Sequence, residues 1–457
     1  MFDVESEKKR WRDSTGAKMV ALCGLVLLLL IPLGMVGSLI SERQQRQNQA
    51  GEEVANLWGR AQILSGPVLT IPYKIHTKDS KGQDQVTVYR ARFLPETLHI
   101  QGQVNPERRH RGIFEAVVYR SDLRWTGAFR PSFAEWNVAD QDVLWNEAWM
   151  AVGVPDLRGI RTGLKLDWGG RTLAFEPGGA EDGLWDSGLR AKAPVARDAQ
   201  GAVSFAFSLG LSGSQRLQFL PLGKQTTVAL KSPWPSPSFG GSFLPETSRV
   251  TPKGFEATWN VSWFGRSYPQ QWRMEEAEKL ASKNALEGSA FGVDLFLPVD
   301  AYQKTERSIK YGVLFLLLTF LTFFLYEVFS GLSLHPMQYL LVGSALCLFY
   351  LLLLSISEHA PFGVSYLVAS AATVLLIGGY SAAVLRGRLR ALLMTLVLGV
   401  LYAYLYVLLQ LEDYALLLGA AGLFAILALV MYLTRRIDWS GPRRGKSLSP
   451  SQLVTPR

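Results

Sequence analysis

Residues 19–40 read MVALCGLVLLLLIPLGMVGSLI, and this stretch sets the architecture of the chain. It holds 22 residues without a charged side chain, and about 20 apolar residues suffice for a helix to cross a bilayer. Five lysines and arginines stand in the 18 residues before it. A cleaved signal peptide would have a shorter apolar region and an A-x-A cleavage site, and none precedes Ser41. The stretch therefore predicts an uncleaved transmembrane anchor.

Five further apolar stretches follow one another closely near the end of the chain. They span about 311–329, 338–357, 362–385, 391–409 and 415–433. Each is long enough for a transmembrane helix, and Glu327 is the one charged residue inside them. Residues 41–310 contain no comparable stretch. We therefore predict an α+β membrane protein, with six transmembrane helices and a large, mostly-β periplasmic domain inserted between helices 1 and 2.

Positive charge is distributed unequally between the short loops of the predicted bundle. The loop at 386–390 and the tail after 435 are rich in arginine, whereas the loops at 357–361 and 410–414 contain no lysine or arginine. Because cytoplasmic loops carry the excess of these residues, both termini are predicted to be cytoplasmic. The predicted segments are a cytoplasmic N-terminus (1–18), transmembrane helix 1 (19–40), a periplasmic β-rich domain (41–309), a five-helix transmembrane bundle (310–434) and a cytoplasmic tail (435–457).

The net charge of +9 belongs mainly to the flanks of the membrane spans. The N-terminus, the loop at 386–390 and the tail hold 14 basic and 5 acidic residues, whereas residues 41–310 hold 33 basic and 29 acidic ones. This distribution is typical of cytoplasmic loops and argues against a nucleic-acid partner. Both cysteines, Cys23 and Cys347, lie in apolar spans. The inserted domain therefore uses neither disulfides nor a cysteine-based zinc site.

The inserted domain has the composition and patterning of a folded β domain. Eleven of the 13 tryptophans lie between Trp58 and Trp272, which indicates a true hydrophobic core. Residues 203–212 and 255–263 alternate apolar and polar side chains, as half-buried strands do. Breaks rich in glycine and proline separate such runs. We predict a sandwich or a pair of packed sheets.

Two further patterns bear on the inserted domain. Residues 93–97 and 243–247 both read FLPET, and a glycine followed by Phe-Glu-Ala comes after each copy. Two copies suggest duplicated β subdomains or a chance similarity, and they are too few for a solenoid. Near the membrane, residues 41–58 are predicted to continue the first helix, and residues 272–286 are predicted to form another helix.

Signatures of catalysis are missing from the sequence. It contains no H-E-x-x-H and no G-x-S-x-G motif, so no catalytic residue, cofactor or metal site is predicted. The candidate functional polar residues near the membrane spans are Glu327, His335, Glu358 and His359. The apolar residues around Glu327 offset the cost of inserting it, so it needs no partner. His335 and Pro336 lie in the tight turn before the third span, where proline is well suited to start a helix. For Glu358 and His359, at the outer end of that span, interfacial capping is the simplest interpretation, and a proton or metal site is the alternative.

Several motifs resemble those of a known family. They are LHPMQYLLVG at 334–343, FYLLLL at 349–354, SEH at 357–359, GP at 66–67, IP at 71–72, PSF at 237–239, FLP at 243–245, DAYQ at 300–303 and IDW at 437–439. With these motifs in this order, the chain resembles the CreD family of inner-membrane proteins of Gram-negative bacteria, known as cell envelope integrity proteins. The resemblance implies control by a sensor kinase and response regulator and a link to envelope stress. It implies no catalytic residue.

Three hypotheses of function follow. The first is a non-enzymatic protein whose periplasmic domain contacts a periplasmic, cell-wall or lipid partner while the helices anchor it in the bilayer. The second is a transporter or flippase, although intramembrane charges are few and inverted repeats are not visible. The third is an intramembrane enzyme that uses Glu327, His335, Glu358 or His359. A polar cavity among the helices would favour the second or third hypothesis, whereas a tightly packed apolar bundle would favour the first. The sequence leaves the oligomeric state open.

Overall fold

The fold is seen in a computed structural model, about 47% helix and 34% strand. It describes residues 15–78, 83–161, 163–178, 184–196, 201–276, 283–295, 301–330, 334–384, 388–411 and 414–435. The chain divides into two compact units. The helical unit comprises Met1–Gln44 and Val299–Arg457, and the sheet unit comprises Gln45–Pro298.

Eight α-helices lie within the described residues. They are α1 (Thr15–Trp58), α2 (Lys283–Glu287), α3 (Ala301–Lys310), α4 (Gly312–Ser330), α5 (Pro336–Ser357), α6 (Phe362–Val384), α7 (Arg388–Gln410) and α8 (Ala415–Thr434). Six of them, α1 and α4 to α8, are long and apolar enough to cross a membrane. The predicted fold class of six membrane helices and a large sheet domain after the first is therefore confirmed.

Helix α1 continues well beyond its apolar part, as the sequence predicted for residues 41–58. Pro32 lies inside the helix, and membrane-spanning helices tolerate proline because neighbouring groups can satisfy the carbonyl that it leaves free. The prediction of a helix over residues 272–286 was wrong at its start, because Trp272 lies in a strand. Residues 277–282 of the predicted helix lie outside the described residues, and Lys283–Glu287 is α-helical. Helix α3 falls inside the segment predicted as periplasmic, but it belongs to the helical unit.

The helical unit has an aromatic centre. Phe349 of α5 is fully buried, and its ring centroid lies 4.8 Å from that of Tyr402 on α7 and 5.6 Å from that of Tyr366 on α6. The Tyr366 hydroxyl donates a hydrogen bond of 2.7 Å to the backbone carbonyl of Tyr402. Gly343 of α5 allows close approach of Leu29 from α1. Rings and aliphatic side chains thus fill the space between these helices.

Seventeen strands lie within the described part of the sheet unit. They are β1 (Gln62–Lys78), β2 (Asp84–Phe93), β3 (Thr97–Arg111), β4 (Phe114–Phe129), β5 (Trp149–Gly153), β6 (Lys165–Trp168), β7 (Arg171–Ala174), β8 (Glu176–Pro177), β9 (Gly188–Lys192), β10 (Val203–Ser214), β11 (Arg216–Phe219), β12 (Gln225–Ser232), β13 (Pro237–Gly241), β14 (Thr247–Thr251), β15 (Gly254–Ser262), β16 (Gln271–Arg273) and β17 (Phe291–Leu295). The two runs with period-two alternation correspond to β10 and β15.

The strands form two sheets around a shared core. One sheet has nine strands, with the order β13-β17-β11-β1-β5-β9-β8 and with β2 joining β16 to β1. The other has eight, in the order β14-β15-β12-β3-β4-β10-β6-β7. The ring of Trp125 in the eight-stranded sheet lies 6.1 Å, centroid to centroid, from that of Phe219 in the nine-stranded sheet. The rings of Trp259 and Phe291 face each other across the sheets in the same way, at 6.0 Å. Trp125 and Trp259 thus lie in the interior of a sandwich, in agreement with the hydrophobic core that the clustering of tryptophans predicted.

The two FLPET copies precede corresponding hairpins, although Leu94 of the first copy is buried and Leu244 of the second is exposed. Each ends at the first residue of a strand, at Thr97 of β3 and Thr247 of β14. Each of these strands forms a hairpin with the next one, β3 with β4 and β14 with β15, and both hairpins belong to the eight-stranded sheet. Gly112 and Gly254, at the two turns, have φ of 62° and 138°, values that favour glycine.

Candidate functional site

The four polar residues singled out in the sequence fall into two separate pairs. His335 precedes α5 as its N-cap, and Glu358 follows it as its C-cap. The 22 residues of α5 lie between them, which corresponds to about 33 Å of helix. Glu327 is linked to the His335 end through Tyr339 on the first turns of α5, whereas His359 lies beside Glu358. The structure therefore does not bring the four residues into one site.

Glu327 is held by two partners that the sequence reasoning did not foresee. Its side chain is 7% exposed, and its Oε1 lies 2.5 Å from Lys18 Nζ on α1. The Tyr339 hydroxyl of α5 donates a hydrogen bond of 3.0 Å to Oε2. The expectation that Glu327 needs no partner is corrected: a buried carboxylate is stable when it is paired and hydrogen-bonded. We call Lys18, Glu327 and Tyr339 the Glu327 cluster.

His335 has a local structural role. Its Nδ1 accepts a hydrogen bond of 3.3 Å from the backbone N–H of Met337, and its own backbone N–H donates one of 3.0 Å to Gln338 Oε1. Together these bonds form a capping box, which satisfies backbone donors that a helix start leaves free. Pro336 occupies the first turn, where the missing N–H costs nothing. Helix capping thus accounts for the polar contacts described for His335.

Glu358, at the other end of α5, has the same kinds of partner as Glu327, a basic residue and a tyrosine hydroxyl. Its side chain is 11% exposed and lies 3.5 Å from Arg43 Nε of α1. The hydroxyl of Tyr302 on α3 donates a hydrogen bond of 3.1 Å to its Oε1. His359 is exposed, and its Nδ1 lies 3.3 Å from the carbonyl of Ser355 one turn earlier. We call Arg43, Tyr302 and Glu358 the Glu358 cluster.

The two clusters share one composition. Each combines a glutamate, a tyrosine hydroxyl and a basic residue of α1. Lys18 and Arg43 are 25 residues apart in α1, about 37 Å along a helix, which is comparable with a bilayer and its interfaces. The basic residue at each end of the apolar stretch of α1 is thus paired with a glutamate of the other helices. Lys18 and Glu327 were both predicted near the cytoplasmic side, so the sequence contained a signal for this pair.

A groove on the sheet unit is the feature that sequence reasoning missed. It has a volume of about 720 Å³ and crosses β15, β12, β3, β4 and β10 of the eight-stranded sheet. Its charged and amide-bearing lining residues are Gln101, Gln103, Asp122, Arg124, Lys231 and Glu256. The alternation in each strand predicted which side chains point to solvent, but the groove depends on the order of the strands, which single runs do not reveal.

Most charges of the groove are paired. Lys231 Nζ lies 2.9 Å from Glu256 Oε1, and the hydrogen bond from Lys231 holds the pKa of Glu256 below its usual range, with a smaller effect of Arg249. Arg161 forms an ion pair with Asp122. Arg124 has no acidic partner within 4.0 Å among the residues that the structure describes, and its side chain is exposed. The groove therefore presents one uncompensated positive charge.

The histidines of the sheet unit do not form a site. His76 and His110 lie 3.0 and 3.1 Å from Asp142 and Glu115, at exposed positions. His99 is exposed on β3. Within the described residues, no group of three or more His, Cys, Asp or Glu side chains could hold a metal ion.

Comparison with known proteins identifies the family to which the chain belongs. The family model for inner membrane protein CreD matches residues 14–440. The chain belongs to the CreD family. It is 36% identical over 452 residues to inner membrane protein CreD of Escherichia coli (strain K12), and the match covers 96% of both chains. The resemblance found in the sequence motifs is thereby confirmed. Membership, together with the six apolar helices, makes this chain a multi-pass inner membrane protein.

Proposed function

We propose that this CreD-family chain acts without catalysis, as an envelope integrity protein whose sheet unit binds a partner outside the cytoplasm while its helices anchor it. One observation carries the proposal: the candidate polar residues of the helical unit are used in structural contacts at two separate places. Glu327 and Glu358 are paired with basic residues of α1, and His335 caps α5. Intramembrane charges that serve a transport path follow one another along it, whereas these two ion pairs lie at opposite ends of α5, which favours helix anchoring.

The sheet unit has the properties that a binding module needs. It carries an open groove of about 720 Å³ lined by amide, hydroxyl and charged side chains together with small and aliphatic residues. The sandwich beneath the groove is closely packed, because its core includes the fully buried Trp125 and Trp259. A rigid scaffold that holds polar side chains in fixed positions is the usual basis of specific recognition.

The test compares point substitutions with a domain replacement in cells that lack their own copy of the protein. Glu327→Gln, His335→Asn and Glu358→Gln should retain tolerance of envelope stress at normal protein level. Replacement of residues 59–298 by an unrelated folded domain should abolish tolerance. The matched control reinserts the native residues 59–298 with the same junctions and should restore it.

A second variant separates a structural role of Glu327 from a chemical one. Lys18→Glu combined with Glu327→Lys keeps an ion pair between α1 and α4 but moves the carboxylate. The proposal expects this double variant to support tolerance at normal protein level. Loss of tolerance at normal level, in this variant or in Glu327→Gln, would instead favour a transporter or an intramembrane enzyme.

A further inference from the structure

The groove on the eight-stranded sheet is built from two adjacent rows of outward-facing residues. Cross-strand register places Glu256, Lys231, Gln103, Asp122 and Gly210 in the first row. The same pairings place Thr258, Ala229, Gln101, Arg124 and Ser208 in the second row. Neighbouring strands lie about 4.8 Å apart, so each row extends for about 19 Å.

The first row neutralises its own charges. Lys231 and Glu256 are directly opposite each other and lie 2.9 Å apart. Asp122 is paired with Arg161, which approaches from outside the row. A ligand would have to break one of these pairs before it could use their charge. The first row therefore lines the groove with polar groups but does not offer an unpaired charge to a ligand.

Within the described residues, the second row has one charge without an acidic partner, and it lies on the fourth of the five strands. Arg124 lies on β4, between Gln101 of β3 and Ser208 of β10, and neither neighbour is charged. Ala229 and Ser208 are small, so the space in front of the guanidinium is not filled by the sheet itself. Arg124 therefore presents its donors to the groove, next to the carboxamide of Gln101.

These features select a ligand by its chemistry. A guanidinium binds a carboxylate through two parallel hydrogen bonds, and carboxamide side chains both donate to and accept from peptide groups. The groove lining contains no aromatic side chain, so a ligand held by stacking has no platform there. We infer that the groove binds a short, extended peptide that carries a carboxylate opposite Arg124. A length of about 19 Å accommodates five or six extended residues.

This inference rests on the proposed function, since it names the class of partner that the sheet unit would bind. The test uses the purified full-length chain in detergent and two labelled hexapeptides of alanine, capped at both ends. One peptide has a central glutamate and the other a central glutamine, so the two differ by a single carboxylate. Fluorescence anisotropy measures the affinity of each. We expect the glutamate peptide to bind about ten-fold more tightly or better, as a charge-assisted hydrogen bond allows.

Three variants locate the binding site. Arg124→Gln should weaken binding of the glutamate peptide about ten-fold and leave the glutamine peptide unchanged. Ala229→Trp should weaken both peptides, because the large side chain fills the groove without changing its charge. Arg130→Gln removes the same charge from an exposed position outside the groove lining and should change neither affinity.

Several outcomes would overturn the inference: no binding of the glutamate peptide, equal binding of both peptides, or equal losses in Arg124→Gln and Arg130→Gln. Binding of an acidic oligosaccharide, but not of the peptide, in an Arg124-dependent way would show that the ligand class is wrong. These results leave the proposed function standing, because that proposal is tested in cells by replacement of the sheet unit and by the variants of Glu327, His335 and Glu358. Unchanged thermal unfolding of the Arg124 variants confirms that a loss of binding is local.

Discussion

At the scale of single residues, the helical unit is organised by charges whose partners lie far away in sequence. Lys18 and Glu327 are 309 residues apart, yet their side-chain atoms lie 2.5 Å from each other. A buried carboxylate that loses its cationic partner stays costly, because neither water nor lipid replaces the lost attraction. The same pair replaced as a whole by neutral residues leaves no orphaned charge. Removing one charge of the pair should therefore cost more than removing both, and a double-mutant cycle measures this difference.

The first prediction concerns this pair. Glu327→Gln and Lys18→Met should each lower the thermal stability of the detergent-solubilised chain, and the double variant should lose less than the sum. The expected coupling is about 0.5–3 kcal/mol, near the lower end because Lys18 is 30% exposed. Thermal unfolding followed by circular dichroism measures it. Additive losses would mean that the two residues do not stabilise each other.

Asp156 is a second residue whose charge stabilises the fold. Its buried carboxylate accepts hydrogen bonds from the side chain and backbone of Arg158 and from the backbone of Arg60. These contacts, led by the Arg158 side chain, hold the pKa of Asp156 below its usual range, although burial opposes them. A carboxylate whose pKa falls on folding stabilises the protein above its unfolded pKa of about 3.9. That stabilisation is lost as the pH falls through the lower, folded pKa.

The second prediction follows from the lowered pKa of Asp156 in the folded protein. Asp156→Asn should destabilise the chain by about 1–3 kcal/mol at neutral pH. The difference from the wild type should shrink as the pH falls below about 3.9, because the carboxyl is then protonated in the unfolded wild-type chain and, at still lower pH, in the folded chain as well. Thermal unfolding at several pH values measures both effects. A difference that stays constant down to the most acidic pH would show that the charge of Asp156 is not responsible.

At the scale of elements, local pattern determined the helices but not every strand. The membrane spans were predicted within a few residues because about 20 apolar residues in a row are a local signal. Trp272 was assigned to a helix because polar, helix-favouring residues follow it. In the structure its strand β16 pairs with β2, which places Trp272 opposite Arg92. That pairing is non-local, so the tertiary contact prevails over local propensity.

The third prediction tests the strand assignment. Trp272 is 1% exposed and packs in a core cluster of the sheet unit. Trp272→Ala should therefore cost about 3–5 kcal/mol. Phe264→Ala is the matched control, because Phe264 is an aromatic residue of the same unit that is 86% exposed, and its loss should change stability by less than about 0.5 kcal/mol. Equal effects of the two substitutions would contradict the burial of Trp272 in β16.

At the scale of the whole molecule, the architecture could be predicted from the sequence, but only part of the candidate sites could. Glu327 and Glu358 stood out because charges near apolar spans are rare. Their partners Tyr302 and Tyr339 carried no comparable signal, since tyrosines are common at membrane interfaces. The groove around Arg124 depends on five strands being neighbours in one sheet. Two of these contacts join β12 to β3 and β10 to β4, strands that are distant in sequence.

The orientation of the chain in the membrane is the last prediction. Arg388 and Arg390 stand at the start of α7, and Arg435 follows α8, whereas the residues at 357–361 and 410–411 carry no lysine or arginine. Because short cytoplasmic loops retain positive charge, Arg388 and Arg435 should be cytoplasmic. Six spans then place the sheet unit, with Lys253 in an exposed turn, on the opposite side.

Fusions of alkaline phosphatase, which is active only outside the cytoplasm, measure this orientation. We expect activity for a fusion at Lys253 and none at Arg388 or Arg435, and a fluorescent reporter that requires the cytoplasm should give the reverse pattern. Immunoblotting for equal fusion levels is the control, since a degraded fusion mimics an inactive one. Phosphatase activity at Arg435 would show that the chain crosses the membrane an odd number of times or has the opposite orientation. The sheet unit and its groove would face the cytoplasm only if the fusion at Lys253 were also inactive, and a partner outside the cytoplasm would then be impossible.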